Sequence, residues 1–133
     1  MGCDIHDCLQ IKEDGIWKSV AWELFAGRQY TLFGVLSSVR GPPHSDFTET
    51  RYLPEDTNSF EIQGDGDFVD TAAPDGPYWM GDHSHTWYTI SEIRKALALL
   101  PTDINFMYIL EAAEPYLSRL TPDNVRYVCG FDS

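Results

Sequence analysis

Apolar and polar residues alternate over positions 3–13. Cys3, Ile5, Leu9 and Ile11 fall on one face, and Asp4, His6, Cys8, Gln10 and Lys12 fall on the other. This is the period-two signature of a strand with one buried side. Asp14-Gly15 supplies a two-residue hairpin turn, and Ile16–Trp22 reads as the returning strand. Between 28 and 39 the spacing turns helical, with Tyr30, Phe33 and Leu36 on one stripe. Arg40-Gly41-Pro42-Pro43 stops that helix. Residues 41–80 show little periodicity. Tyr52-Leu53-Pro54 and Ser59-Phe60-Glu61-Ile62 are short ordered candidates there, and Gly64–Asp67 and Ala73–Pro77 are turns. The stretch is expected to be a long loop, of the kind that often forms a lid or a specificity segment.

Further on, Thr86-Trp87-Tyr88 is β-prone and Thr89-x-x-Glu92 forms a capping box. A helix is expected over about 90–100, before Pro101, and another over about 103–114. Val125–Phe131 reads as a final strand. The order β-β-α-loop-β-α-α-β predicts an α+β fold. Its parts are a small, mainly antiparallel sheet with an N-terminal hairpin and a C-terminal strand, about three helices on one face, and a long acidic loop. A single domain over 1–133 accommodates all of it.

Composition sharpens this picture. The hydrophobic fraction of 43% and aromatic fraction of 14% are those of a folded globule. No apolar run is long enough to span a membrane, and Asp4, His6 and Asp7 interrupt any signal-like start. The start Met1-Gly2-Cys3 lacks the Ser or Thr at position 6 that myristoylation favours. Three cysteines without a CxxC spacing favour reduced thiols and a cytoplasmic setting. The net charge is −12, and residues 41–90 carry ten acidic side chains against Arg51 alone. Duplex nucleic acid is therefore excluded as a partner.

The sharpest chemical signal is a pair of same-face spacings, Asp4-x-His6 and His83-x-His85. In extended backbone, residues two apart project together. Two adjacent strands would bring Asp4, His6, His83 and His85 to one point, as ligands for a divalent metal: Zn, Mn, Fe, Ni or Mg. A lone histidine is more often just a satisfied polar residue, but the His83–His85 pair beside Gly81-Asp82 is harder to explain by packing. Cys3 falls on the apolar side and reads as a buried small residue rather than a nucleophile. The Asp65-Gly66-Asp67 run fails as a calcium loop, since Asp70 and Gly76 stand where a glycine and a bidentate glutamate belong. No P-loop, dinucleotide fingerprint or serine elbow is present. Trp79, Trp87 and Tyr88 suit stacking on a base or sugar, although core packing is the commoner role.

Three stretches and the chain's ending carry a resemblance. They are Met1-Gly2-Cys3-Asp4-Ile5-His6 with its following hairpin, the helix Tyr30–Arg40, and Gly81-Asp82-His83-Ser84-His85-Thr86-Trp87. Together with an ending near Phe131-Asp132-Ser133, they resemble a family of small phage and prophage proteins. Its members begin MGCDIH and carry a YxLFxxLxxVR segment and an HSH[ST]W stretch. The resemblance spans the chain and implies a phage origin, but it carries over no activity.

The expected function is a metal-dependent hydrolase with Asp4, His6, His83 and His85 as both ligands and catalytic residues. In that role a bound metal lowers the pKa of water. A phage setting suggests a nucleotide or phosphodiester substrate, with Arg28, Arg40 and Trp87 as contacts. The alternative is a non-catalytic acidic protein that sequesters a nucleotide signal or inhibits a host defence protein. The acidic stretch 41–80 argues mildly against an anionic substrate. Oligomeric state is left open.

Overall fold

The computed structural model describes residues 2–100, 104 and 106–132. Its frame is a hairpin of β1 (Asp4–Glu13) and β2 (Ile16–Trp22), turned at Asp14-Gly15 as the sequence predicts. Two more strands, β6 (His83–Thr89) and β7 (Val125–Asp132), complete an antiparallel sheet in the order β2-β1-β7-β6. The strand numbers between fall in the acidic middle, where β3 (Phe60–Gln63), β4 (Asp67–Asp70) and β5 (Tyr78–Trp79) form a second antiparallel sheet. The fold is α+β.

Three helices cover one face of the four-stranded sheet: α1 (Tyr30–Ser37), α2 (Ile90–Leu97) and α3 (Met107–Leu117). Ile5, Leu9 and Ile11 of β1 and Val125, Tyr127, Cys129 and Phe131 of β7 meet Leu32, Phe33 and Leu36 of α1 there. Ile90 and Ile93 of α2 and Ile109 and Ala113 of α3 close the same cluster. Each fully buried large apolar side chain contributes ~1.5–3 kcal/mol. α2 begins with the expected capping box: the Thr89 side chain accepts from the Glu92 N–H, and the Glu92 carboxylate accepts from the Thr89 N–H. α1 stops at Ser38, whose left-handed backbone (φ 60°) turns its N–H onto the Gly34 carbonyl. The start expected for the last helix, around 103, lies outside the described residues. That helix carries Pro115 in its last turn and continues to Leu117. No helix among the described residues is long and apolar enough to cross a membrane.

One polar residue sits on the apolar face. Asp7 is fully buried. Its Oδ1 accepts from the Leu24 N–H at 2.6 Å, and its Oδ2 accepts from the Phe25 N–H at 3.2 Å and from the Tyr127 hydroxyl at 2.7 Å. It thereby ties the segment after β2 to the sheet. Burial outweighs these bonds and pushes its carboxyl up to about 6.

The expectation of an unstructured acidic loop over 41–80 is corrected by the second sheet. β3 and β4 are joined by the Gly64–Gly66 turn, so the turn signal there belongs to a hairpin. The strands are only two to four residues long, which left little periodicity to detect. They lie over the face opposite the helices, where Cys8, Val128 and Met80 form a small apolar cluster bordered by Phe60, Phe68 and Tyr78. Two polar anchors fix this layer. The Trp22 indole donates to Asp70 at 2.9 Å. Arg126, only 1% exposed, donates to Gln10 and Asp56, each at 2.8 Å, with its guanidinium over the Trp17 ring.

Candidate functional site

Asp4 and His6 keep the parity expected of them and lie on the face away from the helices, near the end of the sheet where β1 starts and β7 finishes. The register sets Asp4 opposite Asp132 and His6 opposite Gly130. Asp132 therefore stands diagonally from His6, and its Oδ2 lies 2.6 Å from His6 Nε2. A carboxylate only accepts, so Nε2 carries the proton and Nδ1 is the basic nitrogen of the neutral ring. The other Asp132 oxygen accepts from the Asp4 N–H at 3.3 Å. Trp79 of β5 leans over the His6 ring with centroids 4.7 Å apart, and the His6 and Asp132 side chains are each about four-fifths buried.

Next to this pair, Asp4 accepts from Arg28 Nε at 2.7 Å and Nη2 at 3.3 Å, and that guanidinium holds the Asp4 carboxyl below its usual range. Arg28 also packs against Gly2 so closely that a Cβ there would overlap the guanidinium. The Cys3 N–H donates to the Tyr30 hydroxyl at 3.2 Å, and Arg40 stands 5.9 Å above the Tyr30 ring. Arg40 holds a left-handed backbone (φ 58°), a costly conformation for a residue with a side chain. No ion pair to Arg40 is formed among the described residues. Of the two expected anion contacts, Arg28 thus bonds Asp4, while Arg40 is placed only against the Tyr30 ring. No protein-family model, curated protein or solved structure matches the chain.

The other half of the expected site does not assemble as the spacing suggested. Pairing slips by one residue between His83 and Thr86, and Ser84 takes a left-handed backbone (φ 57°) at the bulge. The extra residue resets the alternation. His83 pairs with Phe131 and stacks on its ring, centroids 6.5 Å apart, while its Nδ1 lies 2.9 Å from the Ser84 hydroxyl. His85 turns to the opposite face and settles over Gly130, where a Cβ would come within 2.4 Å of the imidazole. Its Nε2 donates to the Met80 and Gly81 carbonyls at 3.0 and 3.3 Å. Burial lowers its pKa and keeps it neutral near neutral pH. Two residues apart gave one face only on the assumption of unbroken strand, and the bulge removes that assumption. Among the described residues, no group of three or more His, Cys, Asp or Glu is placed to hold a metal ion.

Trp87 is also engaged. The guanidinium carbons of Arg51 and Arg126 lie 4.8 and 5.2 Å from its ring centroid, and the residue is half-buried. Cys3, Cys8 and Cys129 are free and buried, and burial raises all three thiols, which are poor nucleophiles in that state. Sequence reasoning missed Asp132 as the partner of His6. The signal that finds it is register: an acid on the sheet face shared by His6, one pair away across an antiparallel ladder.

Proposed function

We propose that this chain is a hydrolase of a small phosphate-bearing molecule, a nucleotide or phosphodiester, working at the end of the sheet formed by β1 and β7. The observation that carries the proposal is the 2.6 Å contact between His6 Nε2 and Asp132, set beside the Arg28–Asp4 pair in a chain of net charge −12. In this reading Nδ1 of His6 takes a proton from water and Asp132 stabilises the imidazolium that results. Arg28 and Arg40 neutralise the anionic oxygens, Arg28 exchanging its bond to Asp4 for one to substrate. The surplus of acid elsewhere makes these cations the electrostatically distinct spot near the pair. A divalent ion, Zn, Mn or Mg, is the alternative to that base: were one bound, Nδ1 of His6 would be a ligand instead, Asp132 would hold Nε2–H, and the ion would supply hydroxide near neutral pH.

The test is an assay of wild type, His6→Ala and Asp132→Asn against linear and cyclic nucleotides and simple phosphodiesters. It is run with added Mn, Zn or Mg and separately with chelator. Turnover by wild type should fall by about 10²-fold or more in His6→Ala, the range of a positioned general base. The circular dichroism spectrum should stay unchanged. If no substrate yields product while one nucleotide binds stoichiometrically, sequestration replaces hydrolysis as the function.

A further inference from the structure

A second site lies away from His6, between the two sheets and the segment that precedes β3. A cleft of about 450 Å³ opens there, walled by Tyr52, Leu53, Phe60, Ile62 and Phe68, with His85 at its inner end. Glu55 and Glu61 also line it, and both are exposed. From its shape and charge we propose that this cleft docks a cationic side chain, arginine or lysine, presented by a basic partner protein.

Four features point to that occupant. The first is the strained presentation of Tyr52. Its backbone is left-handed (φ 64°), its N–H is fixed to the His85 carbonyl at 2.9 Å, and the residue is 74% exposed. Strain of this kind persists where the surroundings enforce it, and here it holds an aromatic ring out in water. The second is Ile62, 65% exposed on the facing strand, so the mouth is apolar on both sides.

The third is the floor. His85 is only 5% exposed, and the Phe68 ring lies edge-on to it at 4.6 Å. Its Nε2–H is committed to the Met80 and Gly81 carbonyls, which makes the remaining ring nitrogen an acceptor. A ligand that donates hydrogen bonds is therefore favoured over an anion.

The fourth is the rim. Glu55 and Glu61 add carboxylates that make no hydrogen bond or ion pair among the described residues. Aromatic walls with carboxylates at the lip suit a guanidinium or ammonium on an apolar stem. A partner protein is favoured over a free small cation because Tyr52 and Ile62, 74% and 65% exposed, leave the mouth of the cleft apolar, and covering them takes a chain around the inserted side chain. The whole-molecule charge of −12 would speed encounter with a basic partner.

The test uses the intact protein, labelled with ¹⁵N. It is titrated with acetyl-Gly-Arg-Lys-Arg-Gly-amide, with the same peptide carrying citrulline and norleucine in place of Arg and Lys, and with free arginine amide. The cationic peptide should shift resonances of Tyr52, Leu53, Phe68 and His85. It should bind at least about tenfold tighter than either control, and Glu55→Gln with Glu61→Gln should weaken it by a similar factor. Both glutamates are exposed, so the variant keeps the fold, and His6-dependent turnover should stay unchanged in it. Equal binding of the neutral peptide, equal binding of free arginine amide, or shifts confined to other surfaces would each overturn the proposal.

Discussion

Asp7 makes stability fall as pH rises through the mildly acidic range, opposite to the usual behaviour of a hydrogen-bonded carboxylate. Its folded pKa is pushed from an ordinary 3.8 to about 6. Below pH 4 the group is protonated in both folded and unfolded chains, and no penalty is present. Between about 4 and 6 the unfolded chain releases the proton while the folded chain keeps it, so stability declines with pH. Above 6 both are ionised and the full penalty stands. The gap corresponds to about 3 kcal/mol at ~1.4 kcal/mol per tenfold change in proton affinity. The perturbation is Asp7→Asn, which keeps the shape and an acceptor for the Leu24 N–H but cannot ionise. Urea unfolding of both proteins at intervals from pH 4 to 7 isolates the effect, because carboxylates of opposite sign, such as Asp56 and Glu92, with pKa values held down, cancel in the difference. Stability of wild type relative to the variant should drop by ~2–3 kcal/mol across that interval and then level off. Parallel curves for the two proteins would show that Asp7 is not desolvated as described.

Three further outcomes follow from named contacts. Thr89→Ala removes the acceptor for the Glu92 N–H at the start of α2 and should cost about 1 kcal/mol in urea denaturation, whereas Thr89→Ser should cost much less. Gly130→Ala puts a methyl 2.0 Å from the Met80 carbonyl and should destabilise by ~1–3 kcal/mol, seen as a lowered Tm; an unchanged Tm would contradict the close seating of His85 on that glycine. The nucleotide assays of His6→Ala and Asp132→Asn remain the functional test, with loss of turnover and retained fold as the expected result.

Much of the frame was legible because it rests on local chemistry. Asp14-Gly15 specified a hairpin, alternation from Cys3 to Ile11 identified the side of β1 that faces the helices though not the burial of Cys8 and Gln10 on the other, and Thr89 with Glu92 marked a helix start that the structure places at that position. Asp7 broke the alternation and was invisible as a core residue, since its burial depends on the Leu24 and Phe25 amides and on Tyr127 far along the chain. The site was half legible for the same reason. Asp4 and His6 could be put on one face from period alone, and Arg28, expected as a substrate contact, is bonded to Asp4. The partnership with Asp132 required the register of two strands at opposite ends of the sequence. The position of His85 required knowing that Ser84 adopts a left-handed backbone, which a Ser between two histidines does not announce. β3 was legible only as a short ordered candidate at Ser59–Ile62, and β4 escaped, because strands of four residues look like loop until a partner sheet lies beneath them.

The pairing of β1 with β7 at the centre of the main sheet has a kinetic consequence. The bond from the Asp4 amide to the Asp132 carboxylate spans 128 positions in sequence. A chain emerging from the ribosome can close its first hairpin and form α1 early. It cannot pair the second edge of β1 until the last strand has been made. During that interval the backbone N–H and C=O groups of residues 4–11 that pair with β7 form an open strand edge, the condition under which nascent chains recruit chaperones or self-associate. Long-range closure of this kind is slow relative to hairpin and helix formation. Synthesis at lower temperature or with added holdase should therefore raise soluble yield more for this topology than for a helical bundle of equal length.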